Sequence, residues 1–141
     1  DNLSRLAEEE CISFRPQTFT TNSHKALLLA EAAREDGADV FYALHRRLFE
    51  AYFTEGRNIG EQAVLEQLAV AAGVPEETLS RAWSDERYAQ RLDQYLAAAH
   101  ELKVTATPTV FFSEHQRIDG ALPLDVFKRL AREAAIEQSG R

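Results

Sequence analysis

Apolar positions along the 141 residues fall into two regimes: helical spacing up to about Leu102, then alternation and clustering as in strands. The strongest helical stripe spans residues 40–54. There Val40, Phe41, Leu44, Leu48, Phe49, Tyr52 and Phe53 recur at steps of three, four and one, with Arg46, Arg47 and Glu50 on the opposite face. Ahead of it the pattern predicts a short helix over 2–10 and an extended stretch, Ile12-Ser13-Phe14-Arg15-Pro16, whose proline disfavours a central strand. Asn22 or Ser23 then caps a helix carrying Ala26-Leu27-Leu28-Leu29, which Gly37 stops.

Residues 55–60 read as a loop, because two glycines and Asn58 break the helical spacing. A helix over 61–72 ends at Gly73, and Pro75 opens a short one through Trp83. Ser84 or Asp85 caps a longer helix with Tyr88, Leu92, Tyr95, Leu96, Ala99 and Leu102 on one side. After Lys103 the residues turn β-branched and aromatic, with strand character over 104–112, a turn over 113–116 and a returning strand Arg117-Ile118-Asp119. Gly120 and Pro123 lead into a last amphipathic helix bearing Val126, Phe127, Leu130 and Ala134, and the tail from Gln138 is expected to fray. The order predicts an α/β fold in three parts. A short helix and extended segment occupy 1–21, a helical subdomain 22–102, and a β-β-α segment 103–141. The aromatic helix is expected to build the helical core, with part of it facing a substrate groove.

Composition narrows the function. The net charge of −7 argues against a nucleic-acid or anionic-membrane partner, which needs clustered Lys and Arg. No apolar run approaches a membrane span, and no basic-then-apolar opening suggests a secretion signal. Cys11 is the only cysteine, so an internal disulfide, a Cys-x-x-Cys pair and a structural zinc site are all excluded within the chain. A lone thiol fits a reducing, cytoplasmic compartment. The opening Asp1-Asn2-Leu3 and the lack of any Met fit a domain excised from a longer chain.

Candidate chemistry is sparse. Cys11 follows Glu8-Glu9-Glu10, and neighbouring carboxylates favour the neutral thiol over the nucleophilic thiolate. His24, His45, His100 and His115 lack ligand spacing, and His24 and His45 read as solvent positions. Residues 65–81 have helix-turn-helix spacing around Gly73. Their second helix opens Pro75-Glu76-Glu77, which would meet phosphates with negative charge, so packing is the better account. No catalytic residue emerges. The informative step is Thr107-Pro108, immediately ahead of the strand from Thr109: X–Pro is the common home of a cis peptide, a proline opening an edge strand in trans is the other reading, and cis is what a thioredoxin-like loop would imply.

Several short motifs occur in order. They are Asn22-Ser23-His24-Lys25-Ala26, the run from Leu48 to Gly60, Ala106-Thr107-Pro108-Thr109, and Ile118-Asp119-Gly120-Ala121-Leu122-Pro123. Together they resemble the DsbA-like thioredoxin-fold family, in particular its FrnE-type members, from about Glu9 to Ala134. The resemblance implies a thiol–disulfide oxidoreductase with a large helical insert in a partial thioredoxin-like fold. It implies that Ala106, Thr107 and Pro108 form a loop that docks an extended thiol substrate, protein or small molecule. Family members carry a strand, a Cys-x-x-Cys at a helix N-terminus and a second strand ahead of the matching region, none of which is in these residues, so the chain alone is expected to be redox-inert. Three positions depart from the family: Cys11, Lys103 and Ala106 stand where relatives often carry glycine. Two alternatives remain open. The kappa glutathione transferases and hydroxychromene-carboxylate isomerases use a serine and glutathione in this architecture, and glutathione is the one cofactor the resemblance allows. A non-catalytic binding fragment is the other, and its open hairpin edge would favour a homodimer.

Overall fold

A computed structural model describes residues 2–15, 17–113 and 116–139. Pro16, two residues of the expected turn (Glu114 and His115), and the tail's Gly140 and Arg141 lie outside them. The chain divides into two compact units, Asp1–Gln94 and Tyr95–Arg141. The elements run α1 (Asn2–Glu9), α2 (His24–Ala33), α3 (Ala38–Phe49), α4 (Gln62–Ala71), α5 (Glu76–Arg81), α6 (Glu86–Glu101), β1 (Thr109–Ser113), β2 (Gln116–Asp119) and α7 (Leu124–Ser139).

In the first unit the core forms where α2, α3, α4 and α5 pack together. Leu29, Leu44, Leu65 and Tyr88 are fully buried there beside Ala26, Ala32, Ala33, Leu48, Leu68 and Ala82. The many alanines let the helices approach closely, and the leucines supply most of the area removed from water, so truncating Leu44 to Ala would cost about 2–5 kcal/mol. Asp85 caps α6 by accepting the Arg87 backbone N–H at 3.0 Å. At the start of α2 the side chain that accepts is Asn22, whose Oδ1 takes the His24 N–H at 3.0 Å, while Ser23 makes no cap bond.

The expected helix over 40–54 begins two residues earlier and changes character at its end. Residues Glu50–Thr54 form a π turn, in which the Glu55 N–H reaches back to the Glu50 carbonyl at 3.0 Å. The carbonyls this leaves at the helix end are taken by the extended segment: the Arg15 N–H donates to Phe53 O at 2.7 Å, and Gln17 Nε2 donates to Tyr52 O. In return the Thr54 hydroxyl donates to Ser13 O at 2.9 Å. The segment at 12–15, whose alternation suggests extended chain, belongs to no described strand.

Three helices end in the same hydrogen-bonded cap. After α4, Gly73 N–H bonds Val70 O at 3.1 Å and Val74 N–H bonds Ala69 O at 2.9 Å, with Gly73 at φ +78°. The geometry repeats after α1 at Cys11 (φ +55°), where the Cys11 and Ile12 N–H groups bond Glu8 O and Ala7 O. After α6 it repeats at Lys103 (φ +53°), with Lys103 and Val104 bonding His100 O and Ala99 O. Two of the three departures from glycine noted in the sequence thus fall on left-handed residues, where a Cβ is unfavourable.

In the second unit β1 and β2 pair antiparallel, Val110 opposite Ile118 and Thr109 opposite Asp119, and α7 packs on β1. Gly120 N–H donates to Pro108 O at 2.7 Å, which carries the pairing one residue beyond β2. The helix α7 runs through Ser139, further than the expected frayed tail allowed.

An ion network ties α6 to the turn after α2. Glu35 accepts from Arg91 at 2.9 Å and from the Tyr88 hydroxyl at 3.1 Å, with Arg81 at 3.3 Å. The Arg91 hydrogen bond, followed by that from Tyr88 and the charges of Arg87 and Arg81, holds the Glu35 carboxyl below the usual glutamate range.

Two predictions follow from these contacts. Cys11→Gly and Lys103→Gly should each stabilise the chain by about 1 kcal/mol, or raise the melting midpoint by roughly 3 °C, whereas Gly73→Ala should lower it; circular-dichroism melts check all three. Because Glu35 titrates lower when folded, its contribution is present above about pH 4.3 and is lost as pH falls through its folded value. Urea midpoints between pH 6 and 3 should drop less steeply for Glu35→Gln than for the parent.

Candidate functional site

The loop singled out by the sequence lies between α6 and β1. Its Thr107–Pro108 peptide is cis. Ala106, Thr107 and Pro108 are all exposed. Thr109 organises this loop: its hydroxyl bonds Ala106 O at 2.7 Å and Asp119 Oδ1 at 3.1 Å. Arg117 braces the approach, donating to Leu102 O at 3.0 Å and pairing with Asp119 at 3.1 Å. With the Ala106 and Pro108 carbonyls committed, Thr107 keeps both backbone groups free of any partner among the described residues. An exposed donor and acceptor on one residue, at the entrance to a strand, is the arrangement that pairs with an extended peptide.

A second concavity lies within the first unit. It is a cleft of about 760 Å³ between the segment at 12–14 and the outer face of α3 with its π turn, lined by Ile12, Phe14, Tyr42, His45, Phe49 and Phe53. A smaller one of about 240 Å³ lies on the other side of His45, Phe49 and Phe53. The ring spacing explains the wall: Phe41, His45, Phe49 and Phe53 follow each other at four-residue steps. Successive centroids are 4.7, 5.8 and 5.8 Å apart, and Phe14 closes the row on Phe53 at 5.6 Å. Arg34 sits over the first ring at 4.9 Å.

The stripe expected to build the core therefore splits. Leu44 and Leu48 are buried, whereas Phe49 is 57% exposed and lines the cleft. His45, read as a solvent position, is instead held between Phe41 and Phe49, and its four-residue spacing with them was the signal available. His24 is exposed, as expected, and so is Cys11. Among the described residues no three His, Cys, Asp or Glu side chains converge as a metal site, and no helix is long and apolar enough to cross a membrane.

The difference between committed and free backbone in this loop should be visible in amide exchange. The Gly120 amide, bonded to Pro108 O, should exchange well over tenfold more slowly than Thr107, whose amide should approach the rate of an unstructured peptide. Comparable protection of the two by NMR would remove the free-backbone feature.

Comparison with known proteins places this geometry. The family model for the DSBA-like thioredoxin domain matches residues 1–131. No curated protein sequence matches the chain. Among solved structures, the crystal structure of a Nitrosomonas europaea protein provisionally assigned as a protein disulfide isomerase superposes with a TM-score of 0.77. The superposition covers 96% of this chain and 71% of that one at 15% identity, so it speaks for the fold. The helical block followed by a hairpin and terminal helix is thus the α/β, DsbA-type arrangement, and with 131 of its 141 residues matched the chain belongs to the DSBA-like thioredoxin domain family.

Proposed function

We propose that this chain supplies the helical domain and the substrate-docking loop of a thiol–disulfide oxidoreductase whose dithiol lies outside these 141 residues. Family membership supports the reaction class. Thiol–disulfide exchange needs a thiolate to attack and, for turnover, a second thiol to resolve the mixed disulfide. Cys11 alone cannot do both. The residues here are accordingly assigned a docking role and no catalytic one.

The observation that carries the reading is Thr107, whose exposed backbone N–H and C=O lack partners among the described residues just ahead of β1. An extended segment flanking a substrate cysteine would pair with Thr107 as a short antiparallel strand, with Ala106 and Pro108 lining the contact. Sequence specificity would be low, because main-chain groups make the bonds. The single thiol and the net charge of −7 favour a cytoplasmic setting with thiol substrates and no nucleic acid, and the open hairpin edge offers a route to a homodimer.

Reading the coding sequence upstream of Asp1 tests the assignment: a Cys-x-x-Cys after an apolar strand is expected, and a protein extended to include it should reduce insulin disulfides while the 141 residues alone do not. Absence of a dithiol there would sink the oxidoreductase reading, and a serine in its place would transfer it to glutathione chemistry. Titrating the labelled chain with an extended cysteine-containing peptide should shift the Thr107 and Thr109 amides, and shifts confined to other residues would remove the docking role.

A further inference from the structure

Lys103, at the base of the loop that carries Thr107, combines an unfavourable backbone with an unused side chain. It takes φ +53°, and its ammonium makes no hydrogen bond or ion pair with any described residue. We propose that Lys103 is a specificity residue, which selects substrates bearing an acidic side chain close to the segment that docks on Thr107. The proposal rests on the docking role assigned above and names a substrate class for it.

The first observation is the backbone. Lys103 and Val104 cap α6 through their own N–H groups, bonded to His100 O at 3.0 Å and Ala99 O at 2.9 Å. Gly73 and Val74 make the same bonds after α4. A glycine would therefore serve the fold at least as well, because a Cβ is unfavourable at this φ. A side chain held against the preference of its backbone points to a role for the side chain itself.

The second is placement. The Lys103 carbonyl accepts from Arg117 at 3.3 Å, Arg117 pairs with Asp119 at 3.1 Å, and Asp119 bonds the Thr109 hydroxyl that also holds Ala106 O. Lys103 is thus tied to the loop by an unbroken run of contacts within the second unit. Four residues of chain span at most ~14 Å, and lysine adds a flexible four-carbon stem. An extended segment lying along Thr107 comes within reach of that ammonium.

The third is charge. Between Leu102 and Pro123 the described charged side chains are Lys103, Arg117 and Asp119. Arg117 and Asp119 neutralise each other, and Glu101 makes no ion pair with Lys103. One uncompensated cation therefore stands beside the open backbone groups of Thr107, in a chain whose net charge is −7. Such a charge favours a carboxylate on the incoming segment and opposes a second cation.

NMR titration of the isotope-labelled chain tests this, under reducing conditions, with three extended cysteine peptides that differ only in carrying Glu, Gln or Lys beside the cysteine. The Thr107 and Thr109 amides report docking. The Glu peptide should bind about threefold more tightly than the Gln peptide, the Lys peptide most weakly, and the differences should shrink as salt is raised. Lys103→Gly should bind all three alike while melting higher than the parent, and Lys103→Arg should keep the preference. A lysine that served only the helix end, through its dipole, would leave peptide selectivity unchanged in both variants. Equal binding of the three peptides by the parent, with Thr107 still shifted, would overturn the proposal and leave the docking role standing. So would a preference that survives Lys103→Gly. Failure of every peptide to move Thr107 would remove both.

Discussion

The geometry of the first unit depends on how α3 ends. An α-helix leaves its last carbonyls without partners, and an apolar setting makes each unmet one cost about 1–3 kcal/mol. Here the π turn at Glu50–Thr54 turns the Tyr52 and Phe53 carbonyls outward, and the backbone of Arg15 and the amide of Gln17 meet them. That exchange fixes the path of the extended segment, which brings Phe14 onto Phe53 and makes a second wall opposite α3. With a plain α-helical end those carbonyls would be directed along the helix axis, and the segment would lose its anchor. The cleft is in this sense a by-product of helix termination.

Much of this was legible before any coordinates. Helix positions followed from apolar spacing, and the change of period after Lys103 marked the hairpin. The π turn was not legible, because Phe49, Tyr52 and Phe53 continue the apolar stripe and periodicity cannot distinguish a wider turn from a regular one. The same blindness merged core and cleft into one stripe: Leu48 and Phe49 are both apolar, yet one is buried and the other open. Left-handed caps were half visible. Gly73 announced its own, while Cys11 and Lys103 were visible only as departures from a family pattern, since neither residue type favours positive φ. The loop at 106–108 was located by resemblance and by Pro108. The availability of Thr107 could be seen only once the partners of its neighbours' carbonyls were known.

The second unit raises a different physical question, which is how so small a segment is stabilised. Among its described residues only Ile118 and Ala134 are buried, while Leu102, Phe111, Leu122, Leu124 and Ile136 are 44–72% exposed. A two-stranded sheet with one helix is marginal in water, and a segment of this length is at the size where a core rarely suffices. Its apolar surface is spread over a strand, a loop and a helix, which suits cover by further strands and their helix better than a point contact. The proposed dithiol-bearing strands would meet both needs, adding backbone partners to the hairpin edge and covering apolar side chains on its faces. Docking and stability would then be linked, because the loop that presents Thr107 is braced by the same Thr109, Asp119 and Arg117 contacts that hold the hairpin in register.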